Sequence, residues 1–266
     1  MEKLLIAGRV MYALGMAGLG LQQFFYPGFR PVFVPGWSEL LPTPLVYLFS
    51  IALIIASGCI LFKFHAKSAL LILALVFLLF ALLLHVPFNL SNDLISPGAW
   101  TNALKILAFS GGALILAESF DDDESEKPSG LNRALGRLIP AGRFFFGIML
   151  IVFGIDHFLY AEFVKTLVPD WIGGHLFWTY FAAIALIGSG VSLITKIKIG
   201  LVSLLMGIMI FAWFLILHIP RGIAMPDVDN GNEITSVFQA LAFSGVGFVL
   251  AYLYSPYTTN NLNIEY

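Results

Sequence analysis

The amino-acid sequence predicts an all-α integral membrane protein whose eight transmembrane helices form two parallel four-helix repeats. The 266-residue chain is 59% hydrophobic and only 11% charged, whereas the surface of a soluble domain of this length needs more charge. Apolar runs of about twenty residues recur along the chain, and a helix of that length crosses a bilayer core of about 30 Å. The third observation is that the second half of the sequence repeats the first. Backbone groups in lipid must bond within their own segment, so the runs are expected to be helices.

The apolar runs place these helices in order along the chain. We expect spans at about 4–26, 43–62, 68–86, 100–118, 140–161, 176–194, 199–217 and 235–254. The first span follows Met-Glu-Lys, as a signal peptide would. Its apolar stretch is long for a signal core and has a copy later in the chain, so we expect it to stay in the mature protein. The third and seventh spans are predicted to end near His85 and His218, because each histidine precedes an aliphatic residue and a proline.

Matching motifs indicate an internal duplication. The matches are AGRVMYALGMAGLGLQQFFY (7–26) with AGRFFFGIMLIVFGIDHFLY (141–160), VPGW (34–37) with VPDW (168–171), HVP (85–87) with HIP (218–220), and LAFSGG (107–112) with LAFSGV (241–246). The offset ranges from 132, between the Ser-Gly pairs at 57 and 189, to 134, between Ala7 and Ala141. Four spans is an even number, so both repeats have the same orientation and should relate by an axis along the membrane normal.

The duplication and the distribution of charge set the domain boundaries and the orientation. We expect a first four-helix unit at 1–119, a polar linker at 120–138, a second unit at 139–255 and a tail at 256–266. The acidic run of the linker is typical of a solvated tether. One side of the membrane collects Lys3, Arg9, Lys63, Lys67, Lys127, Arg133, Arg137, Arg143, Lys196 and Lys198, and the other keeps Arg30, Lys105, Lys165 and Arg221. This bias predicts that both termini are cytoplasmic.

With this duplicated pattern, the chain resembles the DoxX family of bacterial inner-membrane proteins, whose members are four-helix units. The resemblance lies in GIDHFLYAEFVKTLVPDWIGGHLFWTYFA (154–182), WFLILHIPRG (213–222) and NEITSVFQALAFSGVGFVLA (232–251), while NALKILAFSGGALILA (102–117) looks like part of a second unit. The resemblance implies a place in the bacterial inner membrane. It also implies association with quinone-connected sulfur oxidation or with a membrane complex that handles oxidative stress.

Composition and the lack of several motifs disfavour other functions. The net charge of −2 and the absence of a basic stripe give no reason to expect nucleic acid as a partner. The single cysteine, Cys59, lies in an apolar run and cannot form an internal disulfide. The sequence contains no Gly-rich phosphate loop, nucleophile elbow, Cys-x-x-Cys or haem-attachment motif, so a self-contained enzyme is not supported. The sequence also lacks mid-span charges, which disfavours transport.

Polar residues at the outer ends of the spans are the candidate ligand-binding or proton-handling groups. They are Asp156, His157, Trp171, His218, Arg221 and Glu233 of the second half, together with His85, the counterpart of His218. Asp156 and His157 stand opposite Gln22 and Gln23 of the first repeat, so the second half carries an acid and a base where the first carries amides. Charge in only one copy of a duplication favours a site in that copy.

Several interpretations of this set stay open. His85 and His218 could bond the free carbonyls of helix ends, or serve as ligands. A metal is not favoured, because no short ligand motif is present, and a haem between His85 and His218 is not favoured, because the two halves differ around them. A quinone or a lipid head group near Trp171, His157 and His218 is a candidate ligand. The alternative is a polar network that only holds the loops.

Other residues are expected to have structural roles. Arg9 and Arg143 begin the first span of each repeat as positive anchors, and Lys105 is expected to extend towards the outer interface. Glycines at helical spacing, such as Gly147 with Gly154, are expected to let helices approach closely.

Two functional hypotheses follow from the sequence. In the favoured one, the protein is a non-catalytic accessory subunit of a redox or envelope complex, and its outer loops 27–42, 87–99 and 219–234 dock a protein partner. In the alternative, it is a quinone-binding or electron-transfer subunit of an oxidoreductase. Asp156 and His157 would then handle a proton, while His218 and Arg221 contact the ligand.

Overall fold

The computed structural model describes residues 1–26, 28–36, 41–121 and 129–255, and within these ranges the regular structure is entirely helical. Eight helices of the described chain belong to segments long and apolar enough to cross a membrane, which confirms the predicted class. They are α1 (Glu2–Phe25), α2 (Thr43–Phe62), α3 (Ala66–Asn92), α4 (Thr101–Glu118), α5 (Gly142–Leu159), α6 (His175–Thr195), α7 (Ile199–Ala224) and α8 (Asn232–Leu253). The protein is therefore a membrane protein whose outer surface contacts lipid.

Helices α3 and α7 continue past His85 and His218, so the prediction that they end there is wrong. In each helix a π-helical turn, Ala81–His85 or Phe214–His218, ends at the histidine of the His-x-Pro motif. The wide turn is closed by bonds from the Val86 N–H to the Ala81 carbonyl and from the Ile219 N–H to the Phe214 carbonyl. A proline lacks an N–H and clashes with the carbonyl four residues earlier in a regular α-helix. The π turn widens the helix at this point, so the chain stays helical to Asn92 and to Ala224.

The eight helices form a closed ring in which the two repeats pack against each other at both ends. Helix α1 packs between α2 and α8, and α5 packs between α4 and α6. The first helix of each repeat therefore lies against the fourth helix of the other repeat. The two central helices, α4 and α8, also touch each other, and buried side chains from both repeats belong to one continuous core.

The two halves make equivalent contacts, as expected from the duplication. The α1–α8 crossing brings Gly8 against Gly245, and the α4–α5 crossing brings Gly142 against Gly111. A Cβ added at Gly8 would lie 2.6 Å from the Gly245 carbonyl oxygen, so both crossings need glycine for close approach. Between the halves, the rings of Phe109 and Phe243 meet with their centroids 4.9 Å apart.

Helices α4 and α8 are the most buried, and the other helices expose more of their surface to lipid. The spans that contain α8 and α4 are 72% and 61% buried, whereas the α7 span is 22% and the α2 span 28% buried. Exposed apolar side chains such as Leu48 and Ile55 on α2, and Ile184 on α6, cover the outer surface. Polar residues that lie against α4 and α8 are therefore the ones shielded from lipid by protein.

Candidate ligand-binding site

A cavity of about 280 Å³ lies inside the second half, among helices α4 to α8. Its wall is largely apolar and includes the aromatic residues Phe153, Trp178, Trp213 and Phe243. The polar groups that line it are Lys105 of α4, His157 of α5, Thr179 of α6, His218 of α7, and Ser236 and Gln239 of α8. The cavity thus collects polar groups from five helices, and Lys105 comes from the first repeat.

His157 has a defined tautomer when its ring is neutral. Its Nδ1 lies 2.7 Å from the Phe153 carbonyl oxygen, one helical turn earlier on α5. A carbonyl can only accept, so Nδ1 carries the hydrogen and Nε2 keeps a lone pair. Since His157 lines the cavity, it offers a hydrogen-bond acceptor that can also bind a proton.

His218 lies at the end of the π turn in α7 and lines the cavity from the opposite side. Its Nδ1 is buried and finds no hydrogen-bond partner in the part of the chain that the structure describes. A buried polar atom without a partner costs about 1–3 kcal/mol, so a group that bonds it would be favoured.

Lys105 and Gln239 are the other groups available to a ligand. The Lys105 Nζ lies 6.0 Å from the centroid of the Phe153 ring, and the Glu233 carboxylate attracts it electrostatically. Neither the Lys105 ammonium nor the Gln239 amide makes a hydrogen bond to any of the described residues. The hydroxyls of Thr179 and Ser236 are already bonded to carbonyls of their own helices, at 3.0 and 3.1 Å.

A fork-shaped ion pair lies outside the cavity wall. Arg221 donates from Nε and from one terminal nitrogen to the two carboxylate oxygens of Glu233, at 3.0 and 2.6 Å. This pairing engages both oxygens of the carboxylate, and none of the described residues that line the cavity is acidic. Of the unbonded groups, Lys105 can only donate, and His218 and Gln239 can each donate as well as accept, which suits a ligand with carbonyl or anionic oxygens.

The structure separates Asp156 from His157, although they are neighbours in sequence. Asp156 is buried on another face of α5, is absent from the cavity wall, and its Oδ1 has no partner among the described residues. Trp171 is 74% exposed and also lies away from the cavity. The geometry therefore does not bring Asp156, Arg221 or Trp171 to the site expected near His157 and His218.

His85, the counterpart of His218, is buried in the packed core of the first half and not in a cavity. It is 1% exposed, and its Nε2 donates to the Phe33 carbonyl oxygen at 3.2 Å. Phe33 itself is fully buried and packs on Phe49 and Phe77, with centroid distances of 4.9 and 6.0 Å. The segment that follows α1 thus inserts an aromatic ring into the first half, and His85 holds the backbone of that segment.

The register of the repeats explains why the second half contains a cavity at this position. The Val-Pro match places Leu167 opposite Phe33, and the histidines place Ile210 opposite Phe77. Gly20 touches Ser50 and Ile54, and Gly154 touches Ala183 and Ile187, so α2 and α6 align with an offset of 133 and Ala182 stands opposite Phe49. The Ser-Gly match at 57 and 189, which would place Phe181 there, is therefore one residue out of register. Three phenylalanines of the first half are replaced by Leu167, Ala182 and Ile210, all of which line the cavity.

The predicted anchors have distinct surroundings. Arg9 donates to the Ser119 hydroxyl at 3.0 Å and lies over the Phe120 ring. Arg143 donates to the Leu193 and Ile194 carbonyls at 2.8 and 2.9 Å, near the end of α6. Lys105, the third predicted anchor, lies in the cavity wall. The expectation of close helix approach at Gly154 is confirmed, because an added Cβ would lie 2.6 Å from the Ala183 carbonyl oxygen.

Sequence reasoning missed three functional or structural residues. Trp178 and Trp213 meet edge to face at 6.2 Å in the cavity wall, but no local motif links two tryptophans on different helices. Arg30 is 1% exposed and donates to carbonyls of Tyr26, Gly28 and Asn230, which joins the segment after α1 to the segment before α8. Burial lowers the pKa of this guanidinium.

Comparison with protein-family models, with curated proteins and with solved structures finds no match to this chain. The resemblance to the DoxX family therefore remains a prediction. In residues 1–26, 28–36, 41–121 and 129–255, no group of three or more His, Cys, Asp or Glu side chains has a geometry that could hold a metal ion.

Proposed function

We propose that the protein is a membrane subunit that binds a quinone in the cavity of its second half and serves a partner oxidoreductase in the same membrane. The observation that carries this proposal is the aromatic cavity with unbonded donors from Lys105, His218 and Gln239. A quinone head is a flat ring with carbonyl oxygens. The donors can bond those oxygens, and Trp178 and Trp213 can contact the ring.

His157 supplies the proton chemistry that this ligand needs. Reduction of a quinone to a quinol takes two electrons, from the partner oxidoreductase, and two protons. The Nε2 lone pair of His157 can take up a proton from water and pass it to a ligand oxygen, once for each of the two protons, and can receive the protons back when the quinol is oxidised. Lys105 and His218 would hold the carbonyl oxygens, and the Arg221–Glu233 pair would keep a carboxylate out of the cavity.

Position in the cell follows from charge and from the family resemblance. The excess of Lys and Arg on the side that includes Arg9 and Arg143 supports cytoplasmic termini in a bacterial inner membrane. Lys105 and His218 lie towards the other ends of their spans. The cavity would therefore lie in the extracytoplasmic half of the bilayer.

Titration of the purified protein with decylubiquinone, read by quenching of tryptophan fluorescence, tests the proposal. We expect saturable binding that Lys105→Met and His218→Ala each weaken by about tenfold, the effect of losing about 1.4 kcal/mol. Trp171→Phe is the matched control, since Trp171 is exposed and lies away from the cavity. Binding that neither cavity variant changes would refute the proposal, and preference for a fatty acid of equal tail length would assign the site to an anionic lipid.

A second candidate is the accessory role without a ligand. Leu94 and Ile95 of the α3–α4 segment and Ile223 of α7 are 62%, 89% and 76% exposed, which suits a docking surface. A constant co-purifying partner in native membranes, together with no decylubiquinone binding, would favour this role.

A further inference from the structure

A second space lies beside the cavity, on the lipid side of the second half. It is a groove of about 690 Å³ between α6 and α7. Its wall is almost wholly apolar, with residues such as Leu205 and Ile208, and its one hydroxyl, that of Ser189, is bonded to the Ala185 carbonyl at 2.7 Å. Besides Ser189, only the indoles of Trp178 and Trp213 carry a polar side-chain group among the described residues that line the groove, so its composition suits a hydrocarbon chain.

The groove and the cavity share part of their walls. Trp178, Met209 and Trp213 line both, so the edge-to-face tryptophan pair stands between them. The groove opens towards the lipid side between α6 and α7. A ligand that reaches the cavity from the bilayer through this groove would pass the tryptophan pair.

The volumes of the cavity and the groove suit different parts of one ligand. The cavity, at about 280 Å³, lies at the lower limit of small-molecule sites, which run from about 300 to 1,000 Å³. It can hold a ring-sized head but not a long tail as well. The adjoining groove is larger, apolar and open to lipid.

We propose that the α6–α7 groove binds the hydrocarbon tail of the ligand whose head lies in the cavity, with the tail passing the Trp178–Trp213 pair. This inference rests on the proposed function, because it assumes that a quinone head binds beside Lys105 and His218. It adds that the tail contributes to affinity through protein contacts in the groove.

Two probes and two matched variants test the groove. The probes are decylubiquinone and the tail-less 2,3-dimethoxy-5-methyl-1,4-benzoquinone. Gly188→Leu adds a side chain in the groove, and Gly58→Leu adds the same side chain on α2 of the first half. Neither glycine has a neighbour within 4 Å of an added Cβ, so both variants should fold.

We expect the wild type to bind the tailed probe at least about tenfold more tightly than the tail-less probe. Gly188→Leu should remove most of that difference and leave the Kd of the tail-less probe unchanged, whereas Gly58→Leu should keep it. If Gly188→Leu retains the full advantage of the tailed probe, the groove does not bind the tail. If neither probe binds the wild type, the proposed function itself fails, and the tail site fails with it.

Discussion

The imidazole of His85 donates from Nε2 to the Phe33 carbonyl, whereas the Nδ1 of His218 is buried without a partner among the described residues. Both side chains lie at the end of a π turn, so the backbone presents them in the same way. The different roles come from the chain opposite each ring. In the first half Phe33 is inserted beside the histidine, and in the second half the smaller Leu167 leaves room for a ligand.

Replacement of the two histidines should therefore have unequal effects on stability. His85→Ala leaves the Phe33 carbonyl unpaired and opens space in the core, so we expect the free energy of unfolding to fall by about 2–4 kcal/mol. His218→Ala removes an unpartnered group and should change stability by less than about 1 kcal/mol. Thermal unfolding of both variants in the same detergent measures the difference, and equal losses would contradict it.

Side-chain volume on matching helices is the feature that distinguishes the two halves at the level of elements. Phe49 on α2 contacts the rings of Phe33 and Phe80, with centroid distances of 4.9 and 5.4 Å. Its counterpart on α6 is Ala182, which lines the cavity. The same helix register thus packs a solid core in one repeat and leaves a binding space in the other.

Exchanging these two residues should have unequal costs. Phe49→Ala removes a ring from a packed aromatic cluster and should cost about 3–5 kcal/mol of unfolding free energy. Ala182→Phe adds a ring where space already exists, so we expect little loss of stability or a small gain. Chemical denaturation of both variants checks this, and a large loss in Ala182→Phe would mean that the cavity is too small to accept the ring.

The sequence predicted helices well and the details of the site only in part. Eight spans follow from hydropathy, and the repeat follows from matched motifs, because both signals are carried by many residues. The π turns were missed, since the rule that a proline disfavours the preceding helix does not foresee a local widening of the turn. Lys105 was read as an anchor, because one sequence does not tell whether a charge at a span end faces lipid or protein. The loss of phenylalanine at Leu167 and Ile210 was the available signal for the cavity, whereas the loss at Ala182 follows only from the helix contacts, because the Ser-Gly match places Phe181 opposite Phe49.

At the scale of the whole molecule, the crossed packing of the repeats makes the two sequence halves interdependent. Helix α1 lies against α8, and α5 lies against α4, through the close contacts of Gly8 with Gly245 and of Gly142 with Gly111. The cavity depends on the same arrangement, since Lys105 of the first repeat reaches a site built otherwise from the second.

Separate expression of the halves tests this interdependence. We expect residues 1–119 and 139–255 to be recovered together in equal amounts when co-expressed, because each half completes the core of the other. Each half alone should aggregate or be degraded. Recovery of either half as a stable monomer, measured by size-exclusion chromatography with light scattering, would contradict it.

The most direct test of the central claim is decylubiquinone titration of Ala182→Phe, with the unfolding midpoint measured on the same sample. This variant fills the cavity with the side chain that the first repeat carries at the matching position. If the cavity is the binding site, binding is lost while the midpoint stays at or above that of the wild type. Unchanged binding in a folded Ala182→Phe protein would show that the ligand does not bind in this cavity.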